Sequence, residues 1–349
     1  MSNVVSLDLP RRKSLPERQA LLLQNFACHR RSSDDVFWLK ENAEILNILA
    51  TGGAQLAGAA LEPYTQVYNG LEERLRFFPQ YYRFLLSICL DLEDLGLGKD
   101  TGTALCHWAS QAGVAEAELS DLQRAEARRL LSRRGIEHED RGLTERLHRF
   151  VNRSDTFALP NKKAAYELTH IVFYLSEYGA KNPHLEEAAL ASLEFAGLLA
   201  YLDQDVDLLA EICVAMRFAG HFPSVIWEDW IAREMGGFVL RANGAGPTDA
   251  YHEYLVTSWW AGFADHSSFP GTPSDAGLHV DRHVSRRGPL RAMSEYMFHL
   301  GPARSGDWER MRQGLTDAVG DDGVEILFGA EQSSDRFGAF FEGFARAGS

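Results

Sequence analysis

Apolar residues recur every three or four positions along almost the whole chain, and the strict alternation that marks a half-buried strand is absent. That rhythm predicts helices at Leu15–His29, Asp34–Ala50, Pro63–Arg76, Gln80–Asp94, Gly102–Gln111 and Leu119–Arg133. After a charged turn at Arg133–Gly142 it resumes at Leu143–Val151, Lys162–Tyr178, Leu185–Leu202, Val206–Gly220, Ser224–Arg241 and Thr248–Phe263. Ser33 or Asp34 can cap the second helix. The stretch Ala264–Arg287, punctuated by Gly and Pro and holding three histidines, reads as a long loop of the kind used for lids and binding surfaces. Helices close the chain at Pro289–Leu300, Gly306–Val319 and Ser334–Ala347, and Asp321–Gly329 suits a short helix or a strand.

Residues 1–13 are polar and read as a flexible N-terminus, which leaves 14–349 as one large helical domain. Fifteen or so helices exceed a four-helix bundle, and no repeat of about 33–45 residues supports a solenoid. The expected fold class is all-α, built of stacked helical hairpins. Closed into a ring, these would make an α/α toroid with a central cavity.

Composition narrows the partners. The 349 residues carry 35 basic and 49 acidic side chains, a net charge of −14, which argues against nucleic acid or an anionic membrane as partner. Four scattered cysteines without a CxxC read as small core residues in a reducing compartment. With no export signal and no apolar run of about 18 residues, a cytoplasmic protein is expected. Phosphate loops, GxGxxG, GxSxG and HExxH are absent, so the cofactor is unknown from the sequence.

The richest segment is KKAAYELTHIVFYLSEYG, Lys162 to Gly179. Successive helical residues turn by about 100°. Ala164, Ala165, Leu168, Ile171, Val172 and Leu175 then share an apolar face. The opposite face carries Lys163, Glu167, His170, Tyr174 and Glu177, flanked by Tyr166 and Phe173. Solvated faces are usually Lys, Glu and Gln; aromatics mixed with a His and carboxylates suit the wall of a half-wet cavity.

Glu167 and His170 form an ExxH pair, a spacing also used in di-metal helix bundles. A second ExxH, Glu145–His148, points its Glu to solvent. His170 could equally be a structural residue bonded to Glu167 or Tyr174. In LDQDVDLLAEICVAM, Asp205 caps a helix and Asp207 favours its positive end. The calcium-loop pattern fails there, because Leu208 stands where Gly is needed. Asp207 and Glu211 are like charges one turn apart, so Glu211 needs a cation, an Arg or a raised pKa, and the last would suit a general acid. His252 lies on a helix apolar nearly all round and is either a satisfied core residue or a cavity histidine opposite His170. HVDRH, His279–His283, could pair two imidazoles if helical.

The stretches AYELTHIVFYLSEYG and LDQDVDLLAEICVAMRFAG resemble segments of uncharacterised, all-helical bacterial proteins. More distantly, the series of hairpins resembles α/α-toroid enzymes of the terpene-cyclase-like and sugar-epimerase-like kinds, though the aspartate-rich DDxxD of terpene cyclases is missing. Neither resemblance transfers a catalytic role. The expectation is a small-molecule-binding helical protein, an enzyme with Glu167, His170, Tyr174 and Glu211 as acid–base groups. Tyr166, Phe173, His252 and Trp259 would hold the substrate. The alternatives are a scaffold for a partner protein, using Phe77–Phe78 and Tyr81–Tyr82, or a metalloprotein using Glu167, His170 and either Asp205 or the loop histidines.

Overall fold

A computed structural model describes residues 13–98, 100–242, 248–283 and 286–347; apart from Lys13, the N-terminal segment expected to be flexible lies outside the described residues. Among these residues the chain is all-α apart from one small ribbon. The first helices are α1 (Leu15–Cys28), α2 (Val36–Thr51), α3 (Thr65–Asn69), α4 (Leu71–Phe77), α5 (Tyr82–Asp94) and α6 (Thr101–Gln111). Then follow α7 (Asp121–Ser132), α8 (Leu143–Val151), α9 (Ser154–Phe157), α10 (Lys162–Leu175), α11 (Glu187–Asp203) and α12 (Val206–Phe218). The last are α13 (Val225–Met235), α14 (Tyr251–Phe263), α15 (Leu290–Leu300), α16 (Trp308–Gln332) and α17 (Phe337–Ala345).

Six of these close a cycle of contacts. α2 packs on α5, α5 on α7, α7 on α10, α10 on α12, α12 on α14, and α14 returns to α2. A second layer leans on the cycle: α6 on α5 and α7, α8 on α7 and α10, α11 on α10 and α12, α13 on α12 and α14, and α1 on α2. Because α11 is covered on several sides, its apolar residues run all round it, from Ala189 through Leu193 and Phe195 to Leu202. α15, α16 and α17 pack beyond α11.

The local rules explain where helices begin and end. Asp35, Ser120, Asn161, Asp205 and Asp307 each accept a hydrogen bond from a first-turn N–H. Pro63 and Gly70 split the expected Pro63–Arg76 helix into a 3₁₀ turn, Gly58–Tyr64, followed by α3 and α4. Asp321–Gly329 is helical, and joins the segment before it as one kinked helix, α16, bent where Gly320 has φ +67°.

Four expectations are corrected. The helix foreseen to Arg241 stops at Met235, before Gly236 and Gly237, and Phe238–Arg241 (β1) pairs antiparallel with His279–Arg282 (β2), with Leu240 opposite Val280. A strand therefore lies inside the expected loop. Extended, His279 and His283 stand about 13 Å apart along the chain, which removes their helical pairing. Cys28 is exposed, unlike the other three cysteines.

Among the described residues no helix is long and apolar enough to cross a membrane. Packing between layers is tight at Gly197 of α11, where an added Cβ would lie 2.5 Å from the ring of buried Trp227. Gly197→Ala gains helix propensity but must displace that indole. It is expected to lower stability by about 1–3 kcal/mol, seen as a reduced urea midpoint at unchanged slope.

Candidate functional site

The six helices of the cycle surround a cavity of roughly 320 Å³, and each contributes to its wall. α2 supplies Lys40, Glu44 and Asn47; α5 supplies Phe84 and Ser87; α7 supplies Glu126. Tyr166, His170, Phe173 and Tyr174 come from α10, with Tyr178 just beyond it; Glu211 comes from α12, and His252, Val256 and Trp259 from α14.

The turn after α10 shapes the aromatic wall. Glu177, Tyr178 and Gly179 all have positive φ, at 46°, 55° and 87°. Such values are costly for the first two side chains. They swing Tyr178 back over Phe173, with ring centroids 5.6 Å apart and stacked. Trp259 meets Phe173 edge-on at 5.1 Å and Tyr178 at 5.9 Å. Arg129 lies 4.3 Å above the Tyr178 ring.

A polar chain runs along the opposite wall. The Tyr166 hydroxyl donates to Asp207 Oδ2 at 2.6 Å, and His252 Nε2 lies 3.3 Å from the same oxygen. The other ring nitrogen, Nδ1, reaches Glu44 Oε1 at 2.6 Å. Burial alone would depress the His252 pKa, but the charge of Glu44 and the hydrogen bonds to Asp207 and Glu44 lift it to about 11. His252 is thus an imidazolium held between carboxylates. Burial would lift Asp207; the hydrogen bonds from His252, Asp205 and Tyr166 outweigh it and hold Asp207 well below the usual carboxylate range. Asp205 is the member of that carboxyl pair pushed upward, by burial and by Asp207, against the opposing pull of Lys162. Lys162 bridges Asp203 and Asp205 at 2.7 Å each, on the wall of a second, more apolar cavity.

Glu211 is only 4% exposed. Its Oε2 accepts the Thr169 hydroxyl at 2.6 Å and lies 3.8 Å from His170 Nδ1. Burial raises its pKa, only partly offset by His170, Thr169 and His252. His170 Nδ1 lies 2.8 Å from the Tyr166 carbonyl oxygen. A carbonyl can only accept, so Nδ1 carries a proton, and in the neutral ring the lone pair is on Nε2. Among the described residues Nε2 has no partner, and the side chain is 36% exposed.

The sequence-derived residues are therefore mostly assembled. His170, Tyr174, Glu211, Tyr166, Phe173, His252 and Trp259 all line the chamber. Glu167 does not: about 100° round α10 from Tyr166, it faces Lys163 at 4.0 Å. It does not orient His170, whose Nδ1 bonds to the Tyr166 backbone instead. Among the described residues no three His, Cys, Asp or Glu side chains gather as metal ligands, so Glu167, His170 and Asp205 form no such group. Of the proposed partner contacts, Phe77 and Phe78 are exposed, at 75% and 42%, whereas Tyr82 is buried.

Four participants were not foreseen: Glu44, Glu126, Thr169 and Tyr178. Glu44 had a signal, since acidic residues among the Leu, Ile and Ala of LKENAEILNILA call for partners. Thr169 and Tyr178 had none, as their roles depend on α12 and on the backbone turn.

The His252 clamp has a pH signature. Its folded value exceeds the ordinary 6.5, so its contribution to stability is complete below pH 6.5 and fades as pH climbs toward about 11. Ring ¹⁵N shifts should report a doubly protonated His252 at pH 8. Glu44→Gln should lower its pKa and cost about 1 kcal/mol in urea unfolding, modest because the imidazole is half-buried. No curated protein and no solved structure matches the chain. The model of one family, described as Domain of unknown function (DUF6902), matches residues 1–347, and the chain belongs to that family.

Proposed function

We propose that this protein is an enzyme that binds a small organic molecule inside the ring of helices and moves a proton on it, with His170 and Glu211 as the acid–base groups. The observation that carries the reading is the pairing, within one aromatic chamber, of a His170 Nε2 that has no partner among the described residues with a nearly fully buried carboxyl. His170 Nε2 is the base; Glu211, whose pKa burial raises, is the second group through which the proton passes. Tyr174 and the other rings hold the substrate and exclude water. The cycle of six helices with its outer layer is read as an α/α toroid, whose central hollow is the usual place for a ligand. The volume, roughly 320 Å³, suits a compact metabolite. Free cysteines, three of them buried, agree with a reducing cytoplasm, and the acidic balance with the absence of nucleic acid and membrane among its partners.

A panel of low-mass metabolites, followed by thermal shift and product analysis, tests this. At least one compound should stabilise the wild type and be converted by it. His170→Gln should still bind that compound while losing conversion on the order of 10²–10⁴-fold. Equal conversion by His170→Gln would remove the histidine from the chemistry. A second reading, docking of a partner protein, rests on the exposed Phe77–Phe78 pair. It gains if Phe77→Ser abolishes a function that His170→Gln leaves intact.

A further inference from the structure

The charges around the chamber do not balance. From α12 come Asp207 and Glu211, from α2 Glu44, and from α14 the single cation His252, whose two ring nitrogens already face Asp207 and Glu44. Three carboxylates thus face one imidazolium. The remaining charges do not neutralise Glu211: Arg129 of α7 lies 4.3 Å above the Tyr178 ring and, among the described residues, makes no ion pair with Glu211. Glu126 of α7 is taken by Arg83, and Asp91 of α5 lies against Arg133 beneath the wall. Lys162 is held by Asp203 and Asp205. Lys40 is exposed at the rim.

The deficit falls on Glu211. Its only hydrogen bond among the described residues comes from a neutral hydroxyl, on Oε2; His170 Nδ1 stands 3.8 Å from that oxygen with its proton turned to the Tyr166 carbonyl, and no donor meets Oε1. A buried carboxylate in that condition either holds a proton or waits for a cation. Its neighbours in the chamber wall are aromatic: Tyr166, Phe173, Tyr174, Tyr178 and Trp259. Ring faces attract positive charge through their quadrupoles, most strongly where water is excluded. A carboxylate lacking a counter-ion and a set of rings, enclosing one space, ask for the same guest.

We infer that the chamber binds a small organic cation, its ammonium group set against the aromatic rings with Glu211 as counter-ion. This deepens the proposed function and rests on its reading of the chamber as a ligand site. An anionic substrate is disfavoured by Glu44, Asp207 and Glu211 together, and a neutral one leaves Glu211 unmatched.

Three probes of nearly equal size and shape separate charge from fit: choline, its neutral carbon isostere 3,3-dimethylbutan-1-ol, and the anion 3,3-dimethylbutanoate. Binding is followed through the imidazole C–H signals of His170 and His252 in the full-length protein. Choline should shift both signals with a dissociation constant at least about tenfold below that of the neutral isostere, and the anion should shift neither. Glu211→Gln, which still accepts from Thr169, should erase the preference for choline, and Glu167→Gln, outside the chamber, should keep it. Binding of the neutral or anionic probe as tightly as choline would overturn the cation assignment while leaving a ligand chamber. If no probe moves either histidine, both the assignment and the ligand-chamber reading fall.

Discussion

His252 ties together helices that the chain brings together only at a distance. One imidazole on α14 reaches Glu44 on α2, 208 residues away in sequence, and Asp207 on α12, which in turn accepts from Tyr166 on α10. Four of the six helices around the chamber are thereby joined by one polar chain, at the joint where the cycle closes. Arg30 reinforces the same joint from outside, with Glu41 at 2.9 Å and Asp249 at 2.8 Å. Buried ion pairs are poor sources of net stability, because desolvation offsets much of their attraction. Their value here is in register: only one arrangement of α2, α12 and α14 satisfies both nitrogens of the ring.

Apolar packing supplies the stability that such a network does not. The outer layer is held by contacts such as Gly197 against Trp227 and by Phe337, Phe340, Phe341 and Phe344 beyond α11. This leaves the inner faces free to carry groups that a compact core would reject. Glu211, raised in pKa and short of donors, and the left-handed pair Glu177–Tyr178 are locally unfavourable. Unfavourable features of this kind concentrate where a protein meets a ligand, and here both border one cavity.

Much of this was legible in the helical rhythm. The polar-aromatic face of α10 marked a cavity wall because its residues fall on one side of a single helix, and the like charges Asp207 and Glu211 marked a site of electrostatic tension. What stayed hidden was long-range. Whether His252 was core or cavity depended on Glu44, which no local pattern connects to it. Glu167 was misplaced because a three-residue spacing leaves two side chains some 60° apart on a helix, enough to put one in solvent. The β1–β2 ribbon escaped notice because four-residue strands are too short to show alternation.

Six helices in a cycle of contacts surround an aromatic cavity in which, among the described residues, His170 Nε2 and Glu211 Oε1 have no hydrogen-bond partner. A crystal structure of the ligand-free protein at atomic resolution tests this most directly, through the solvent in that space. Ordered water, or a retained small molecule, should bridge His170 Nε2 and Glu211 Oε1 within hydrogen-bond distance. A chamber filled by the side chains of Tyr174 and Trp259, with Glu211 bonded only to protein, would contradict the account.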